Sequence, residues 1–599
     1  MNDPVMPASR PPRGELTAHT IVASVLVAAL MGASYPYIVL KLGFGPNLSV
    51  VAAFFGFVFL SLFNLMLKTG YDRWQNNIVQ TAGTSAAQTA FMCVLLGAFD
   101  ILRRNPDLGF HLELTWWKSF LWLWAACTLG VLLAVPLRRH FIVEEKLPYA
   151  DGLAAAETLI VLDPPRGKDM DPKLIAQAKN AALALALGLF ASAFLMLLRK
   201  EAYMFKWLDD AWMSAGVVGG IVLGKLYVGV YYSLLSVGSG MIIGLRINVW
   251  MMVGGVLAWI VAPWLLVKYG ELPKGAARND ILFWVMWPAT GMLVAGGLTA
   301  LALRWRLIID TFRSLRGAKL DGGEFPLAWV GGGVAVCAIA LCIVQAALLD
   351  MPVWMTLVAI LLSLPLMLVG LRVLGETNWG PISALSNMMQ GLFAIVAPGN
   401  ITANMVSSGT TGTIAVSSEA IIQDYKAGDV IGSTPRSLTW AQLMAVPIGA
   451  LAVSLVYPAL VDTYGEVGGP NLSSAISQKW ALFAGFLKGG FDALPKSALW
   501  VLIIFSALGI LFTVLESKKA WKPFVPSPTG IGIGILVPFM VIATMFIGGV
   551  IGTIWKKAHP PSAGPYLVPF ASGLIAGEAL IAVLVPLLLW LGLGGAAGH

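Results

Sequence analysis

The stretch NITANMVSSGTTGTIAVSSEAIIQDYKAG, from Asn400 to Gly428, poses the first question about this chain. Its first 19 residues contain eight serines and threonines, whereas the whole chain is 58% hydrophobic and only 12% charged. The stretch is long enough to cross a bilayer. So many hydroxyls in such a segment indicate either packing against neighbouring helices or the lining of a polar cavity.

The composition around this stretch is that of a membrane protein. Soluble domains carry about a quarter charged residues, roughly twice the fraction found here. Apolar runs of about 20 residues recur along the chain, and each could cross about 30 Å of hydrocarbon as a helix. A β-barrel would show short alternating segments instead. We therefore predict an all-α polytopic membrane protein embedded in a lipid bilayer.

We predict about 16 transmembrane helices in two related eight-helix halves. The predicted crossings are 18–39, 48–68, 77–102, 117–138, 175–198, 212–232, 247–267, 280–305, 327–349, 352–373, 381–397, 401–424, 437–461, 496–515, 529–554 and 566–592. The corresponding domains are an N-terminal tail (1–17), an N-terminal transmembrane half (18–306), a basic linker (307–326) and a C-terminal transmembrane half (327–599).

The basic residues indicate topology rather than a polyanionic partner. The formal net charge is +8, but the lysines and arginines lie in short loops between apolar runs, so no nucleic acid is expected. Their distribution places the tail, the basic linker and both termini in the cytoplasm.

An internal repeat supports two halves. VGSGMIIGLRINVWMMVGGVLAWI (237–260) aligns without gaps on IGIGILVPFMVIATMFIGGVIGTI (531–554), with four glycines at the same places. The alternative is chance, since glycine-rich membrane helices resemble one another. Two further apolar pieces, 147–162 and 480–495, are too short to cross and are candidates for re-entrant or interfacial helices. For 480–495 a surface amphipathic helix is favoured.

Polar side chains inside spans are candidates for function, because an unpaired polar group is costly in lipid. They cluster in 74–91, 374–391 and 400–419, and a broken helix lining a hydrated cavity explains the last cluster better than packing does. The predicted substrate-binding residues are Asn77, Gln80, Thr81, Thr84, Gln88, Ser383, Asn387, Gln390, Asn400, Asn404, Ser407, Ser408 and Thr411. No lysine or arginine lies between Arg372 and Lys426, so anion recognition there would depend on amides, hydroxyls and helix ends.

Carboxylates in the spans are candidate proton carriers. These are Glu419, Glu157, Glu376 and Glu578, with Glu419 and Glu157 ranked first because small residues surround them. For Glu376 and Glu578, helix capping is an equal alternative.

The sequence contains no motif for metal binding, nucleotide binding or hydrolysis. The five histidines lie at or beyond the ends of the predicted crossings, which argues against a metal site of imidazoles and thiolates. There is no phosphate-binding loop, dinucleotide fingerprint or catalytic serine–histidine pattern. ATP hydrolysis by this chain is therefore excluded, which leaves transport by ion coupling or by facilitated diffusion. No cofactor is expected. A passive channel and, less favoured, an intramembrane enzyme are the alternatives.

The end of the opening stretch resembles a signature of the oligopeptide transporter superfamily. The loop QDYKAGDVIGSTPR supplies Gln423, Asp424, Lys426, Gly428, Gly432, Pro435 and Arg436. NNIVQTAGTSAA, LPYADGLAAAETL and FASGLIAGEAL are similar to the yellow stripe-like and prokaryotic branches. The N-P-G-P-F pattern associated with the peptide branch is missing, and GFGPNLS matches it poorly.

This resemblance implies a secondary transporter that carries short peptides or metal chelates, driven by a proton gradient. It implies a prokaryotic plasma (inner) membrane and leaves a monomer or a homodimer open. Asp424, Lys426 and Arg436 are expected to form a cytoplasmic gate or a structural ion pair, of which the structural role is favoured.

Overall fold

The computed structural model describes residues 14–590 except 43–44, 46–47, 163–171, 201–204, 206, 304–324, 378–379, 490–495, 519 and 523. It is 80% helical, which confirms the predicted all-α fold of a polytopic membrane protein. Most of the predicted tail 1–17 and of the predicted linker 307–326 lies outside the described residues. The division of the chain into those domains stays a prediction.

Helices form most of the described chain. In the first part they are α1 (Ala18–Leu42), α2 (Ser49–Leu67), α3 (Arg73–Ala90), α4 (Cys93–Arg103), α5 (Trp116–Ala134), α6 (Ala150–Leu162), α7 (Pro172–Leu198), α8 (Leu234–Ile243), α9 (Leu245–Val256), α10 (Ala262–Lys268) and α11 (Arg278–Ala302). In the second part they are α12 (Leu327–Leu348), α13 (Val353–Thr377), α14 (Ile382–Val396), α15 (Ile401–Ile431), α16 (Pro435–Tyr464), α17 (Ala475–Gly489), α18 (Lys496–Glu516), α19 (Pro528–Leu536), α20 (Phe539–Ala558) and α21 (Pro560–Trp590).

Thirteen helical segments of the described residues are long and apolar enough to cross a membrane. α14, at 15 residues, is shorter than these spans. The 31-residue α15 is long enough at about 1.5 Å per residue but rich in hydroxyls. The figure of about 16 crossings therefore stays a prediction.

One predicted crossing, 212–232, is wrong. Here the chain forms two short antiparallel pairs, β1 (Ala211–Met213) with β4 (Gly229–Tyr231) and β2 (Val217–Val218) with β3 (Ile221–Val222). The turn between β2 and β3 is Gly219-Gly220, and both glycines have positive φ. Gly-Gly between β-branched residues favours a two-residue hairpin, a local signal that the apolar character of the segment concealed.

Two predicted crossings contain breaks. Segment 77–102 is divided between Ala90 and Cys93, and segment 529–554 is divided at Val537 and Pro538. Proline has no backbone N–H and cannot continue a helical ladder, which explains the second break.

The interruption predicted for the opening stretch is also wrong, because α15 runs unbroken from Ile401 to Ile431. Its hydroxyls do not compete with the helix but bond to carbonyls on the preceding turn. Thr413 Oγ1 donates to Gly409 O at 2.7 Å, and Ser417 Oγ donates to Thr413 O at 2.8 Å. Such bonds satisfy the hydroxyls without breaking the backbone ladder.

The two short apolar segments, 147–162 and 480–495, differ in how well the structure agrees with the prediction. The piece at 147–162 contains α6, whose 13 residues span about 20 Å and cannot cross a bilayer. For 480–495 the favoured surface helix is wrong over its described part. That part belongs to α17, in which Trp480 is fully buried and Lys479 is 6% exposed.

The aligned segments of the internal repeat contact each other reciprocally. A Cβ at Gly240 would overlap the carbonyl oxygen of Met545, and a Cβ at Gly534 would overlap the carbonyl oxygen of Met251. Gly240 aligns with Gly534, and Met251 aligns with Met545. The same exchange relates a second set, Gly254 with Ile531 and Gly548 with Val237. Such paired contacts are typical of a two-fold axis between the segments and support a duplication, which stays a prediction for the rest of the chain.

These glycine contacts generate the first prediction. Gly534→Ala should lower the free energy of unfolding by about 1–3 kcal/mol, because the added methyl group overlaps the Met251 carbonyl. The measurement is the thermal midpoint of detergent-solubilised protein followed by size-exclusion chromatography. Gly332→Ala on α12 is the matched control, since no atom lies within 4 Å of its added Cβ. Equal midpoints for the two variants would contradict the packing role.

A polar cavity between the helices

Nine polar side chains line a cavity of about 440 Å³ between the helices, called the central cavity below. Helices α3, α6, α9, α11, α14, α15, α17 and α19 all contribute to its wall. Its polar lining consists of Tyr35, Thr84, Gln88, Asp151, Ser383, Glu419, Gln423, Lys479 and Thr529. Acidic, basic and amide groups therefore face one small volume.

Glu419 reaches this cavity from the middle of α15. It is 6% exposed, and its Oε1 has no hydrogen-bond partner among the described residues. Gly380 lies against the carboxylate, close enough that a Cβ there would overlap Oε2. A carboxylate without donors is costly away from water, so this group is available to a proton, a cation or a donor that enters the cavity.

Lys479 enters the cavity wall from α17. Its Nζ donates to Ser383 Oγ at the start of α14. The indole Nε1 of the next residue, Trp480, donates to the same oxygen at 2.9 Å. No carboxylate of the described residues lies within ion-pair distance of the Lys479 ammonium group.

Behind Thr84 lies a buried carboxylate held by two amides. Gln80 Nε2 donates to Asp424 Oδ1 at 2.8 Å and to Thr84 Oγ1 at 2.9 Å. Gln442 Nε2 donates to Asp424 Oδ2, also at 2.8 Å. Asp424 is 1% exposed, so this network ties α3, α15 and α16 together beside the cavity.

The hydroxyl-rich part of α15 serves mainly as packing. Gln345 Nε2 donates to Thr410 Oγ1 at 2.7 Å, and Thr411 Oγ1 shares a 2.8 Å hydrogen bond with Ser363 Oγ. Ser418 Oγ donates to the Gly130 carbonyl of α5 at 2.8 Å. These bonds join α15 to α5, α12 and α13, as interhelical hydroxyls do in membrane proteins.

An amide cluster lies beside this packing layer. Asn387 Nδ2 donates to Gln390 Oε1 at 2.7 Å, and Asn404 Nδ2 donates to the Gln390 backbone carbonyl at 2.6 Å. Asn400 caps α15, because its Oδ1 accepts from Ala403 N at 2.9 Å. The Asn404–Gln390 bond joins α15 to α14, whereas the other two bonds lie within a single helix.

The structure thus divides the predicted substrate-binding residues into two groups. Those that line the cavity are Thr84, Gln88 and Ser383. Those that do not are Asn77, Gln80, Thr81, Asn387, Gln390, Asn400, Asn404, Ser407, Ser408 and Thr411. Helical periodicity identifies a polar face but not which end of that face reaches open space.

The predicted proton carriers differ in whether they line the cavity. Glu419 lines the cavity, whereas Glu157 is exposed on α6 and does not. Glu578 is fully engaged: Arg199 Nη1 lies 3.1 Å from its Oε1, and Ser233 Oγ and Leu235 N donate to its Oε2 at 3.0 and 3.1 Å. It caps α8, in line with the alternative considered for it. The Glu376 side chain lies outside the described residues.

The signature loop does not form the ion pair considered for it. Asp424 binds Gln80 and Gln442 rather than Lys426 or Arg436. Lys426 is half-buried and Arg436 is exposed. The part of this loop that reaches the cavity is Gln423, one residue before the buried carboxylate.

Lys479, Asp151, Gln423 and Thr529 line the cavity but were not among the predicted site residues. Lys479 directly precedes the segment 480–495, for which a surface helix was favoured, and nothing in its local sequence indicates a cavity. The available signal was a lysine followed by tryptophan in the short apolar helix SAISQKWALFAG (474–485).

A polar cavity between the helices of a membrane protein is the arrangement expected of a solute transporter. The sequence profile of the OPT oligopeptide transporter protein family matches residues 15–589, and the chain belongs to this family. It is therefore a transporter and an integral membrane protein, not an enzyme.

Similar proteins span nearly the whole chain. A protein of Saccharomyces cerevisiae named as an oligopeptide transporter, YGL114W, is 23% identical and covers 96% of both chains. The metal-nicotianamine transporter YSL3 of Arabidopsis thaliana is 24% identical, over 96% of this chain and 91% of its own. YSL8 of the same plant, also named for metal-nicotianamine transport, is 24% identical over 94% and 85%.

The network behind the cavity gives the second prediction. Asp424→Leu should cost about 1–3 kcal/mol for each glutamine N–H group left without an acceptor. Asp424→Asn should fold nearly as well, because Gln442 can turn its amide and accept from the new Nδ2; its Oε1 has no partner among the described residues. Thermal midpoints in detergent measure both effects.

The control for this pair is Asp429→Asn on the same helix. Asp429 is exposed and lies 3.6 Å from Arg138, so its change should stay within about 0.5 kcal/mol. A midpoint for Asp424→Leu equal to that of the Asp429 variant would show that the glutamine network does not stabilise the bundle.

Proposed function

We propose that this chain is a proton-coupled secondary active transporter that takes up short peptides or peptide-like metal chelates through the central cavity. The relatives named for oligopeptides and for metal-nicotianamine support these two cargo classes. Both classes combine amines and carboxylates on a small flexible frame. A cavity of about 440 Å³ falls within the range of roughly 300–1,000 Å³ that ligand sites occupy.

The observation that carries this proposal is the unpartnered carboxylate of Glu419 on the cavity wall. The group can be neutralised by a proton or by a cationic group of the cargo, and water-filled cavities in the membrane are where such carboxylates serve as proton relays. Coupling follows if the loaded transporter reorients only when Glu419 is neutral.

Alternating access also needs a movable barrier, and α17 has the right position for one. Ile476 and Lys479 on this helix face the central cavity. Gln478 and Leu482 face a second cavity of about 630 Å³, which is also lined by Arg104 and Tyr464. Because α17 contributes to the walls of both cavities, displacing it would join them. With only 15 residues, α17 is too short to cross the bilayer.

Uptake into proteoliposomes tests the proposed function. Radiolabelled trialanine and the iron(II) chelate of nicotianamine are supplied separately, with and without an inward proton gradient. Concentrative uptake of at least one cargo, driven by the gradient, is expected. Equilibration without accumulation would identify a passive facilitator, and transport of neither cargo would overturn the proposal.

The third prediction concerns coupling. Glu419→Gln should abolish the stimulation of uptake by a proton gradient while counterflow of cargo persists, because the amide mimics the neutral carboxyl permanently. Glu157→Gln removes an exposed carboxylate from α6 and should leave stimulation unchanged. Wild-type stimulation in the Glu419→Gln variant would remove this residue from the coupling mechanism.

A further inference from the structure

The basic side chain of Lys479 receives little compensation from the protein itself. Its side chain is buried, and the partner that the structure gives its ammonium group is the Ser383 hydroxyl. Burying a charge without a counter-ion is expensive, so such groups are usually paired. Lys479 is therefore a position where an anion from outside the chain would be stabilised.

Arg199 shows how the same protein treats a structural cation. Its guanidinium, also fully buried, pairs with Glu578 at 3.1 Å and donates to the Tyr232 carbonyl and the Tyr231 hydroxyl, each at 2.9 Å. Protein acceptors thus surround Arg199. Lys479 has no such shell among the described residues, although it is comparably buried.

The Ser383 hydroxyl is arranged to act together with Lys479. Its oxygen accepts from both Lys479 Nζ and Trp480 Nε1. With two donors on the oxygen, its own hydrogen is directed elsewhere, and the described residues give it no acceptor. Ser383 and Lys479 both line the cavity. An ammonium group and a hydroxyl hydrogen are therefore presented side by side to whatever occupies this space.

We infer that Lys479 and Ser383 form a subsite that binds a carboxylate group of the cargo, with Trp480 orienting the hydroxyl. This inference rests on the proposed function, because it assumes that cargo enters the central cavity. Two donors on adjacent atoms match the two oxygens of a carboxylate, and charge-assisted hydrogen bonds are the stronger kind. Glu419 and Asp151 line the same cavity and would face the amines of a zwitterionic cargo.

The test compares uptake kinetics of wild type, Lys479→Met, Lys479→Arg and Ser383→Ala in the proteoliposomes described above. Lys479→Met should raise KM for the transported cargo about ten- to hundredfold with kcat little changed, as expected for loss of a hydrogen bond to a charged group. Lys479→Arg should restore most of the affinity. Ser383→Ala should raise KM by a smaller factor.

The matched control is Lys488→Met, which removes an exposed lysine from the same helix. Lys488 donates to the Leu108 carbonyl at 2.6 Å and does not line the central cavity. Its KM should equal that of wild type. Lys479→Met should not lower the thermal midpoint, because methionine fills similar space without an uncompensated charge.

Competition identifies the group that is bound. Trialaninamide should inhibit wild-type trialanine uptake about tenfold less well than trialanine does, whereas Lys479→Met should not distinguish them. For chelate uptake, the trimethyl ester of nicotianamine replaces the amide as the competitor without carboxylates. Retained discrimination in Lys479→Met would overturn the inference while leaving the proposed function intact.

Chloride is a second anion that the Lys479 and Ser383 donors could bind. All assays are repeated in gluconate buffer. A KM effect of Lys479→Met that disappears without chloride would assign the subsite to that ion and overturn the carboxylate assignment. If wild type transports neither cargo, the proposed function fails, and the inference fails with it.

Discussion

Away from water every polar group needs a partner, and this constraint organises the interior of the protein. The hydroxyls of α15 bond to their own helix and to three neighbours, and Asp424 is held between two glutamine amides. By comparison, the Glu419 carboxylate, whose Oε1 has no partner among the described residues, and the Lys479 amine, whose partner is the Ser383 hydroxyl, are less completely compensated than Asp424. Both line the same cavity.

The cavity leaves one acidic and one basic group incompletely neutralised. Both groups can therefore bind and release ligands that enter it. Protons and cargo amines can neutralise Glu419, and a cargo carboxylate can neutralise Lys479. In the proposed mechanism the empty site is then the costly state, and loading relieves both costs together. A secondary transporter must not open its gates with only one ligand bound. A site that is costly to leave partly empty meets this requirement.

The sequence predicted the membrane class, the majority of the helices and four groups on the cavity wall: Thr84, Gln88, Ser383 and Glu419. It could not predict that Lys479 lines the cavity, because a single lysine beside an apolar segment has the same local pattern whether it faces solvent or a cavity. Polar periodicity located α15 as a special helix, but satisfied hydroxyls and ligand-binding hydroxyls look identical in one sequence. Only the tertiary contacts show which of them are already occupied.

The central claim is that cargo binds between Glu419 and the Lys479–Ser383 pair. A cryo-electron microscopy map of the protein with its transported cargo bound tests this claim most directly. The account predicts cargo density in the cavity of about 440 Å³, with a carboxylate beside Lys479 Nζ. Density among the amides of Asn387, Gln390 and Asn404, with the central cavity empty, would contradict it.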